Sequence, residues 1–300
     1  MATTLDITTN YVGDVAGGYV AAMIKESNTL SQNLVTIMPN VVSTVYLRKI
    51  DVGDGFVDYA CGWEPSGDTT LTEYSITPKK VMWPHELCKE DFRQLWSAAE
   101  MGFSAHNDNL PKTEQAALLL EMGKVIARKI DVDLWEGDDS TGRFNGLIPQ
   151  LIADATVIDV ATPTTVTSLN VEAELADFID AVPDAVIGAS DLVLGVSTNV
   201  IRALKKIQGS LARANGTFLN PSEYDFNGYT LTEIKGLNAN TMVAYAKSNV
   251  TFVTGLMADH NEIKIKDMDE TDLSGTIRMK TVFTGAIGYA YGAEIVLYRG

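Results

Sequence analysis

The sequence has few cysteines and a shortage of positive charge. Its 300 residues include two cysteines, Cys61 and Cys88, and carry 39 acids against 23 bases, for a net charge of −16. Two cysteines do not make a disulfide framework, so we expect both to be free thiols of a reducing compartment. The acidic balance argues against tight non-specific binding of nucleic acid, which depends on Lys and Arg neutralising phosphates. It does not exclude contact with DNA through a local basic face.

Long apolar runs and the common catalytic motifs are also missing. No run reaches the roughly 20 apolar residues that span a bilayer, and residues 1–10 lack the basic flank and apolar centre of a signal peptide. We therefore expect a soluble protein made in the cytoplasm, with no membrane partner. GxxxxGK[ST], GxGxxG, HExxH, CxxC and GxSxG are all absent. The sequence therefore predicts no catalytic residue, no cofactor and no standard metal site.

The clearest element in the sequence is a long helix over residues 111–136. Apolar residues recur there at spacings of three and four, which places them on one face: Leu119, Met122, Ile126, Ile130 and Leu134. Pro111 suits a first helical turn and Gly137 suits a helix exit. Twenty-six residues make a rod of roughly 39 Å. Such a rod needs a broad surface to lie along it.

An acidic cluster follows the last turns of this helix: Asp131, Asp133, Glu136, Asp138 and Asp139. Carboxylates at a helix C-terminus oppose the helix dipole, so a compensating partner is expected. One interpretation is a bound cation. The other, which we favour, is a solvated helix end with Lys129 and Arg143 as partners.

Residues 51–78 predict a long two-stranded excursion. A strand over Val41–Ile50 leads into turn signals, and residues 69–77 alternate as a second arm. The excursion has too few apolar residues for a core of its own, so we expect it to lie against something else. It contains no Lys or Arg and six acids: Asp51, Asp54, Asp58, Glu64, Asp68 and Glu73.

The remaining pattern mixes helices and strands, which is typical of the α+β class. Val81–Trp83 predicts a strand that stops at Pro84, followed by a short helix carrying Leu87, Phe92, Leu95 and Trp96. Further helices are predicted at 170–182 and from Ser197 to about 208, and strands at 191–196, 229–234, 241–246, 250–254 and 292–298. The segments EIKIKD and TIRMKTVF alternate as strands with one solvated face, which holds Lys264, Lys266, Arg278 and Lys280.

The order of these parts resembles the major capsid protein of tailed double-stranded DNA bacteriophages. ITPKKVMWPHELCKEDF (76–92) is similar to the segment where that family's extended loop returns to its peripheral domain. KVIARKIDVDLWEGDDSTGRFNGLI (124–148) resembles the end of its spine helix, and LVLGVSTNVIRALKKIQG (192–209) and FNGYTLTEI (226–234) resemble parts of its axial domain. The implied organisation is an N-terminal arm (1–40), an extended loop with flanking strands (41–80), a peripheral domain (81–148 and 256–283) with the spine helix 111–136, and an axial α/β domain (149–255 and 284–300).

The resemblance implies a structural protein, not an enzyme. Pentamers and hexamers of the chain would form an icosahedral shell around the phage DNA, assembled in the host bacterial cytoplasm and located in the virion. Because the arm is short, the resemblance implies a separate scaffolding protein, or a sequence that is already processed; it also implies a portal. No lysine lies between Lys49 and Lys79, so we expect no isopeptide bond at the loop tip.

The extended loop is also expected to lie over a neighbouring subunit. We expect its acids to meet a basic strip there, for which the candidates are Lys124, Arg128, Lys264, Lys266, Arg278 and Lys280. Three alternatives stay open: an encapsulin-like nanocompartment shell, a carboxylate- or metal-dependent enzyme that uses the 131–139 cluster, and an adhesin or tail component.

Overall fold

The computed structural model describes residues 28–59, 61–62, 66–88, 112–140, 142–215, 224–255, 263–268 and 275–300. The helices in these ranges are α1 (Asn28–Ser31), α2 (Lys112–Glu136), α3 (Leu147–Ala153), α4 (Val171–Asp180), α5 (Asp184–Ile187) and α6 (Thr198–Asn215). The strands are β1 (Thr36–Met38), β2 (Val45–Val52), β3 (Thr69–Ile76), β4 (Lys79–Cys88), β5 (Ile158–Asp159), β6 (Leu192–Ser197), β7 (Asp225–Phe226), β8 (Tyr229–Ile234), β9 (Thr241–Ala246), β10 (Val250–Thr254), β11 (Ile263–Asp267), β12 (Thr276–Tyr289) and β13 (Val296–Arg299). Of the predicted N-terminal arm, residues 1–27 lie outside the described residues.

Strand β12 organises a sheet, here called sheet 1, in which five of the described strands take part. One edge of β12 pairs antiparallel with β4 along its first ten residues. The other edge pairs first with β11 and then with β10, and β1 adds in parallel to β10. Strand β12 therefore pairs directly with three strands, and β1 joins the sheet through β10.

A second sheet, sheet 2, runs in the order β5-β13-β9-β6-β8-β7 among the described strands. Every residue of β9 is buried, because both faces of the sheet are covered. Helices α4 and α6 cover one face, where Phe178 and Leu204 pack with Met242. On the other face Val243 and Tyr245 belong to a different apolar cluster. The predicted strands at 229–234, 241–246 and 250–254 are confirmed with the predicted bounds.

The long helix α2 is shared between the two sheets. Met122 packs on sheet 1 beside Ile277 and Met279. In the last turn of α2, Leu134 and Trp135 are fully buried. They belong to the apolar cluster that includes Val243 and Tyr245 of β9 in sheet 2. The predicted apolar face thus has two partners along its length; the side chains of residues 112–121, Leu119 among them, lie outside the described residues.

The strand predicted to stop at Pro84 instead continues to Cys88, so the predicted helical position of Leu87 is wrong. Leu87 lies in β4, opposite Ile277 of β12. A proline fits an edge strand because an N–H that faces away from the neighbouring strand makes no ladder bond. Among the described strands, β4 pairs on one edge alone. Phe92, Leu95 and Trp96 lie outside the described residues.

The predicted boundary between peripheral and axial parts at 283/284 falls inside a single strand. β12 runs without a break from Thr276 to Tyr289. Its second half pairs with β10, which comes from the predicted axial range but lies in sheet 1. In the described part of the chain, no helix combines the length and the apolar character that crossing a membrane requires.

We expect Leu134→Ala to destabilise the fold far more than Val125→Ala on the same helix. Leu134 is fully buried, so its truncation leaves a cavity and should lower the free energy of unfolding by about 2–5 kcal/mol. Val125 is 43% exposed, and its truncation should change that free energy by less than about 0.5 kcal/mol. Urea denaturation at one fixed protein concentration measures both, since assembly would stabilise the folded state by mass action. Equal transition midpoints for the two variants would contradict the shared-helix packing.

Candidate intersubunit interface

Strands β2 and β3 form the predicted long hairpin. Their antiparallel register runs from Val45 opposite Ile76 to Val52 opposite Thr69, with residues 53–68 as the connecting tip. The predicted acids of the excursion that the structure describes are all exposed: Asp51, Asp54, Asp58, Asp68 and Glu73. Glu64 lies outside the described residues. The hairpin therefore presents a row of carboxylates to solvent.

The two faces of the hairpin have different surroundings. One face is held on its own chain, where Ile76 is buried with Val253 and Ala286. On the opposite face Ile50 pairs directly with Leu71, and these side chains are 57% and 69% exposed. Tyr46 and Val52 lie on that face as well, and Phe56 and Tyr59 at the tip are almost fully exposed. Sequence reasoning weighed the charges of this segment and missed its outward apolar face.

The hairpin projects beyond the C-terminal end of β12. Near its root Tyr74 lies against Gly288, so close that a Cβ there would be 2.7 Å from the tyrosine hydroxyl oxygen. Further out, the ammonium of Lys49 sits 4.5 Å above the ring of Tyr291, whose hydroxyl donates a 3.2 Å hydrogen bond to the carbonyl of Ile50. From the root toward the tip, the contacts of the hairpin pass from Gly288 near the end of β12 to Tyr291 just after it.

Four of the six predicted basic residues lie together on the solvated face of sheet 1. Lys264 stands opposite Lys280 and Lys266 opposite Arg278 across the β11–β12 pair, and all four are exposed. Because side chains alternate along a strand, this face is opposite to the one that α2 covers. We call it the outer face of sheet 1.

One more cation and one acid belong to this outer face. Lys80 of β4 stands opposite Thr284 and is exposed. Sequence reasoning missed it because β4 was expected to begin at Val81. Glu86 stands opposite Arg278, and the guanidinium Nε lies 3.1 Å from its carboxylate. The outer face thus gathers five cations around one acid.

The other two predicted basic residues lie elsewhere. Lys124 and Arg128 are on α2, each two positions after a side chain that packs on sheet 1, Met122 and Ile126. Two residues turn a helix by about 200°, which directs Lys124 and Arg128 away from the sheet. The six predicted cations therefore form two surfaces on opposite sides of one layer.

Solved structures with a similar fold include subunits of a capsid, a procapsid and a virus-like particle. The chain has a TM-score of 0.60 to a subunit of the capsid of an empty GTA particle, at 11% identity over 92% of this chain and 90% of that one. It has a TM-score of 0.57 to a satellite phage P4 procapsid that includes the size determination protein, at 10% identity over 94% and 98%. A virus-like particle from Pyrococcus furiosus gives 0.53, at 10% identity over 94% and 96%. No family model and no curated protein sequence matches the chain.

The chain has the tailed-phage major-capsid fold. This confirms the fold that the order of elements predicted. At 10–11% identity the likeness is one of architecture and not of shared residues.

In this capsid fold, few polar bonds fix the root of the hairpin. Tyr74 donates a 3.0 Å hydrogen bond to Oε1 of Gln150, whose Nε2 lies 2.9–3.1 Å from the carbonyls of Asn145, Gly146 and Ile287. Burial raises the pKa of the Tyr74 phenol, which keeps it a neutral donor. A cavity of about 390 Å³ separates the root from the loop after α2. Gln150 connects the root to α3 on one side of this cavity.

A lysine closes the other side of this cavity. The ammonium of Lys79 lies 2.9 Å from both the carbonyl and the carboxylate of Asp139, and 2.9 Å from the carbonyl of Ser140. Asp139 has a left-handed φ of 55°, which aims these acceptors at the lysine. The last acid of the predicted cluster therefore ties the hairpin to the end of α2.

The other acids of the cluster contact different groups of the protein, although Asp133 and Asp138 share Arg143 as a partner. Asp131 accepts a 3.1 Å hydrogen bond from the backbone N–H of Thr29, and Asp138 accepts from Ser140, which lowers the pKa of that carboxyl. Glu136 accepts from the N–H of Asn238 at 2.9 Å, although burial raises the pKa of Glu136. Each of the five carboxylates is engaged by a donor or cation of the protein itself, so the cluster does not form a ligand set.

Asp133 has the ion-pair partners that the sequence predicted, but it is buried instead of solvated. Its carboxylate lies 2.9 Å from both Lys129 and Arg143, so the predicted partners are confirmed. The expectation of a solvated helix end is wrong for Asp131 and Asp133, which are 3% exposed. The bond to Asp133 raises the pKa of the Arg143 guanidinium. Within the described ranges, no group of three His, Cys, Asp or Glu is placed to hold a metal ion.

We expect Gln150→Ala to loosen the hairpin without unfolding the chain. The change removes a partner from Tyr74 and from three carbonyls, a cost of about 1–3 kcal/mol for the polar groups left unpaired. Hydrogen–deuterium exchange should accelerate over β3 and stay unchanged over β9. Gln208→Ala, on α6 of sheet 2, is the matched control and should leave both strands as in the unaltered protein. Unchanged protection of β3 in the Gln150 variant would contradict the role of this side chain.

Proposed function

We propose that the chain is a structural subunit that assembles with copies of itself into a closed shell. The observation that carries the proposal is the capsid fold combined with a projecting hairpin that its own chain leaves uncovered. A lone two-stranded hairpin is marginal in water, and this one exposes Ile50, Leu71, Phe56 and Tyr59. Clustered apolar exposure on a folded chain is typical of a protein interface. A neighbouring subunit supplies the missing cover.

The charge distribution supports the same proposal. The hairpin is acidic, and the cations of the chain that match it lie at the other end of β12 from the direction in which the hairpin projects. Intrachain pairing of these surfaces is therefore prevented by geometry. Pairing between copies satisfies both surfaces at once and repeats in every subunit of a shell.

We further propose that the shell is a virion capsid of pentamers and hexamers that encloses double-stranded DNA. The net charge of −16 suits a container wall that does not grip its DNA, since non-specific binding depends on Lys and Arg. Assembly in the bacterial cytoplasm, with a separate scaffolding protein and a portal, belongs to this proposal. A nanocompartment shell is the second candidate, because the likeness to the Pyrococcus furiosus particle covers 94% of the chain.

The first test is whether the protein forms particles and what they contain. Negative-stain microscopy of the purified protein should show closed shells or ring-shaped capsomers. Nuclease-treated particles from the producing host should then release protected double-stranded DNA. Particles that enclose protein and no DNA would support the nanocompartment instead. A monomer of 32.5 kDa at all concentrations would contradict both shell functions.

The second test reverses the charge of the hairpin. We expect Asp54→Lys, Asp58→Lys and Glu64→Lys together to impair assembly, because they turn attraction to a basic surface into repulsion. Exposed ion pairs contribute at most about 1 kcal/mol each, so the effect depends on repetition across the shell and should weaken as salt is raised. The neutral set Asp54→Asn, Asp58→Asn and Glu64→Gln is the control and should have a smaller effect. Normal assembly of the lysine variant at low salt, followed by light scattering, would count against the charge argument.

A further inference from the structure

Helix α6 is basic in a chain that is strongly acidic. The whole chain has 39 acids against 23 bases, yet the 18 residues Thr198–Asn215 contain no acid. Their four cations are Arg202, Lys205, Lys206 and Arg213. The net charge of the chain therefore does not describe this part of its surface, which is a candidate contact for an anionic partner.

Two of these cations lie on the side of α6 that points away from sheet 2. Leu204 is buried in the cluster between the helices and the sheet. Arg202 lies two positions before it and Lys206 two positions after it, about 200° around the helix, and both are exposed. We call this side the crest of α6. In the next turn Gly209 is exposed with open space where a Cβ would be, so a broad partner can approach both charges.

Lys205 lies on the flank of α6 and is already oriented by its own chain. Its ammonium donates a 3.1 Å hydrogen bond to the hydroxyl of Tyr224 and lies 4.5 Å from the centroid of that ring. A side chain that is held in advance loses less conformational entropy when a partner binds. Lys205 therefore adds a fixed positive charge beside the two charges of the crest.

The two cations of the crest have no acidic partner in the described part of the chain. No carboxylate there forms an ion pair with Arg202 or Lys206. On the outer face of sheet 1, by contrast, the guanidinium of Arg278 lies 3.1 Å from the carboxylate of Glu86. The charge of the crest is therefore available to an anion from outside the chain.

The composition of α6 favours nucleic acid over protein as this partner. Protein interfaces have an apolar centre from which charged residues are depleted, whereas interfaces with DNA are polar and positively charged. None of the exposed residues in the described part of α6 has an apolar side chain: Arg202, Lys205, Lys206, Gly209 and Ser210.

We propose that the crest of α6 contacts the phosphate backbone of the double-stranded DNA that the shell encloses. The inference rests on the proposed capsid function and names the surface of the wall that touches the DNA. Duplex DNA carries one negative charge per roughly 1.7 Å of its axis, so two cations about 6 Å apart along a helix meet phosphates in many orientations. Contacts to phosphate carry no sequence information, so any enclosed genome satisfies them.

An acidic helix beside the crest limits the strength of this contact. Helix α4 packs beside α6 in one buried cluster, and Asp177 and Asp180 of α4 are exposed. Axes of packed helices are about 8–10 Å apart, close to the Debye length of about 8 Å at physiological ionic strength. These carboxylates repel the same phosphates, so each copy binds DNA weakly. The contact is effective because many copies, fixed in one shell, act together.

Lysine acetylation of intact particles tests the contact directly. N-hydroxysuccinimidyl acetate should modify Lys206 in empty shells, and most of this reactivity should be lost in DNA-filled particles, because phosphates then cover the crest. Mass spectrometry of the digested protein measures the modification. Lys235 is the control, since it is exposed and precedes Gly236, which packs on α2 at the other face of sheet 2. Its reactivity should be equal in both kinds of particle.

Each other outcome of the acetylation experiment is decisive. Equal reactivity of Lys206 in filled and empty particles would overturn the inference and leave the shell function standing. Loss of reactivity when empty shells form from the unassembled chain would show that a protein surface covers the crest, which also overturns the inference. Particles that never contain DNA would instead overturn the proposed capsid function.

The salt dependence of DNA binding tests the same charges without particles. The unassembled chain should bind a labelled DNA duplex weakly at low salt, measured by fluorescence anisotropy. In Arg202→Gln with Lys206→Gln, the slope of log K against log salt concentration should become less negative by about 1.8, roughly 0.9 for each lost phosphate contact. Lys235→Gln with Arg299→Gln removes two other exposed cations and should leave the slope unchanged. Equal slopes in the two variants, or no binding by the unaltered chain, would contradict the inference.

Discussion

The fold depends on one helix being buried by two sheets. A rod of 25 residues, about 38 Å long, exceeds what either sheet covers alone. The first described turns meet sheet 1 through Met122, the last turn meets the sheet 2 cluster through Leu134 and Trp135, and Ile130 packs partly against both of its neighbouring clusters. The apolar spacing along the helix therefore helps to set the relative position of the two sheets, together with the cluster in which Phe252 of sheet 1 meets Val243 of sheet 2. The hairpin root is positioned relative to this helix as well, through Lys79 and Asp139.

Three of the acids at the end of that helix each connect it to a different segment, while Asp133 and Asp138 both pair with Arg143 of the loop that follows. Asp131 holds the segment that begins at Thr29, and the indole of Trp135 donates a second hydrogen bond to the Thr29 hydroxyl. Glu136 holds the loop before β9 through Asn238, and Asp139 holds the hairpin root through Lys79. These carboxylates are close together along the sequence, which suggested a cation site. In the structure they accept hydrogen bonds from different segments instead. Adjacent residues on the last turns of a helix point in different directions, which linear proximity does not convey.

Local pattern predicted most of the elements and little of their grouping. β9, β8 and β10 were predictable with their bounds because β-branched runs between turn signals have one good interpretation. Pro84 was misread because a proline ends a strand unless that strand lies at an edge, and edge position is a property of the sheet. The six cations were predictable as exposed, but their division between the outer face and α2 follows from which side of sheet 1 the helix covers. That choice is made by long-range packing.

The root of the hairpin is fixed on its own chain, and the outward face of the hairpin leaves apolar side chains exposed. Both properties matter for the proposed assembly. If the root were loose, ordering it on a neighbour would cost the conformational entropy of the whole arm and weaken every contact in the shell. Gln150 and Lys79 already hold the root in the single chain, which lowers the ordering cost that the proposed assembly would meet. If the outer surface were satisfied within the chain, nothing would drive subunits together. In the single chain the outward side chains Ile50 and Leu71 stay exposed, while Lys49 and the carbonyl of Ile50 are engaged by Tyr291.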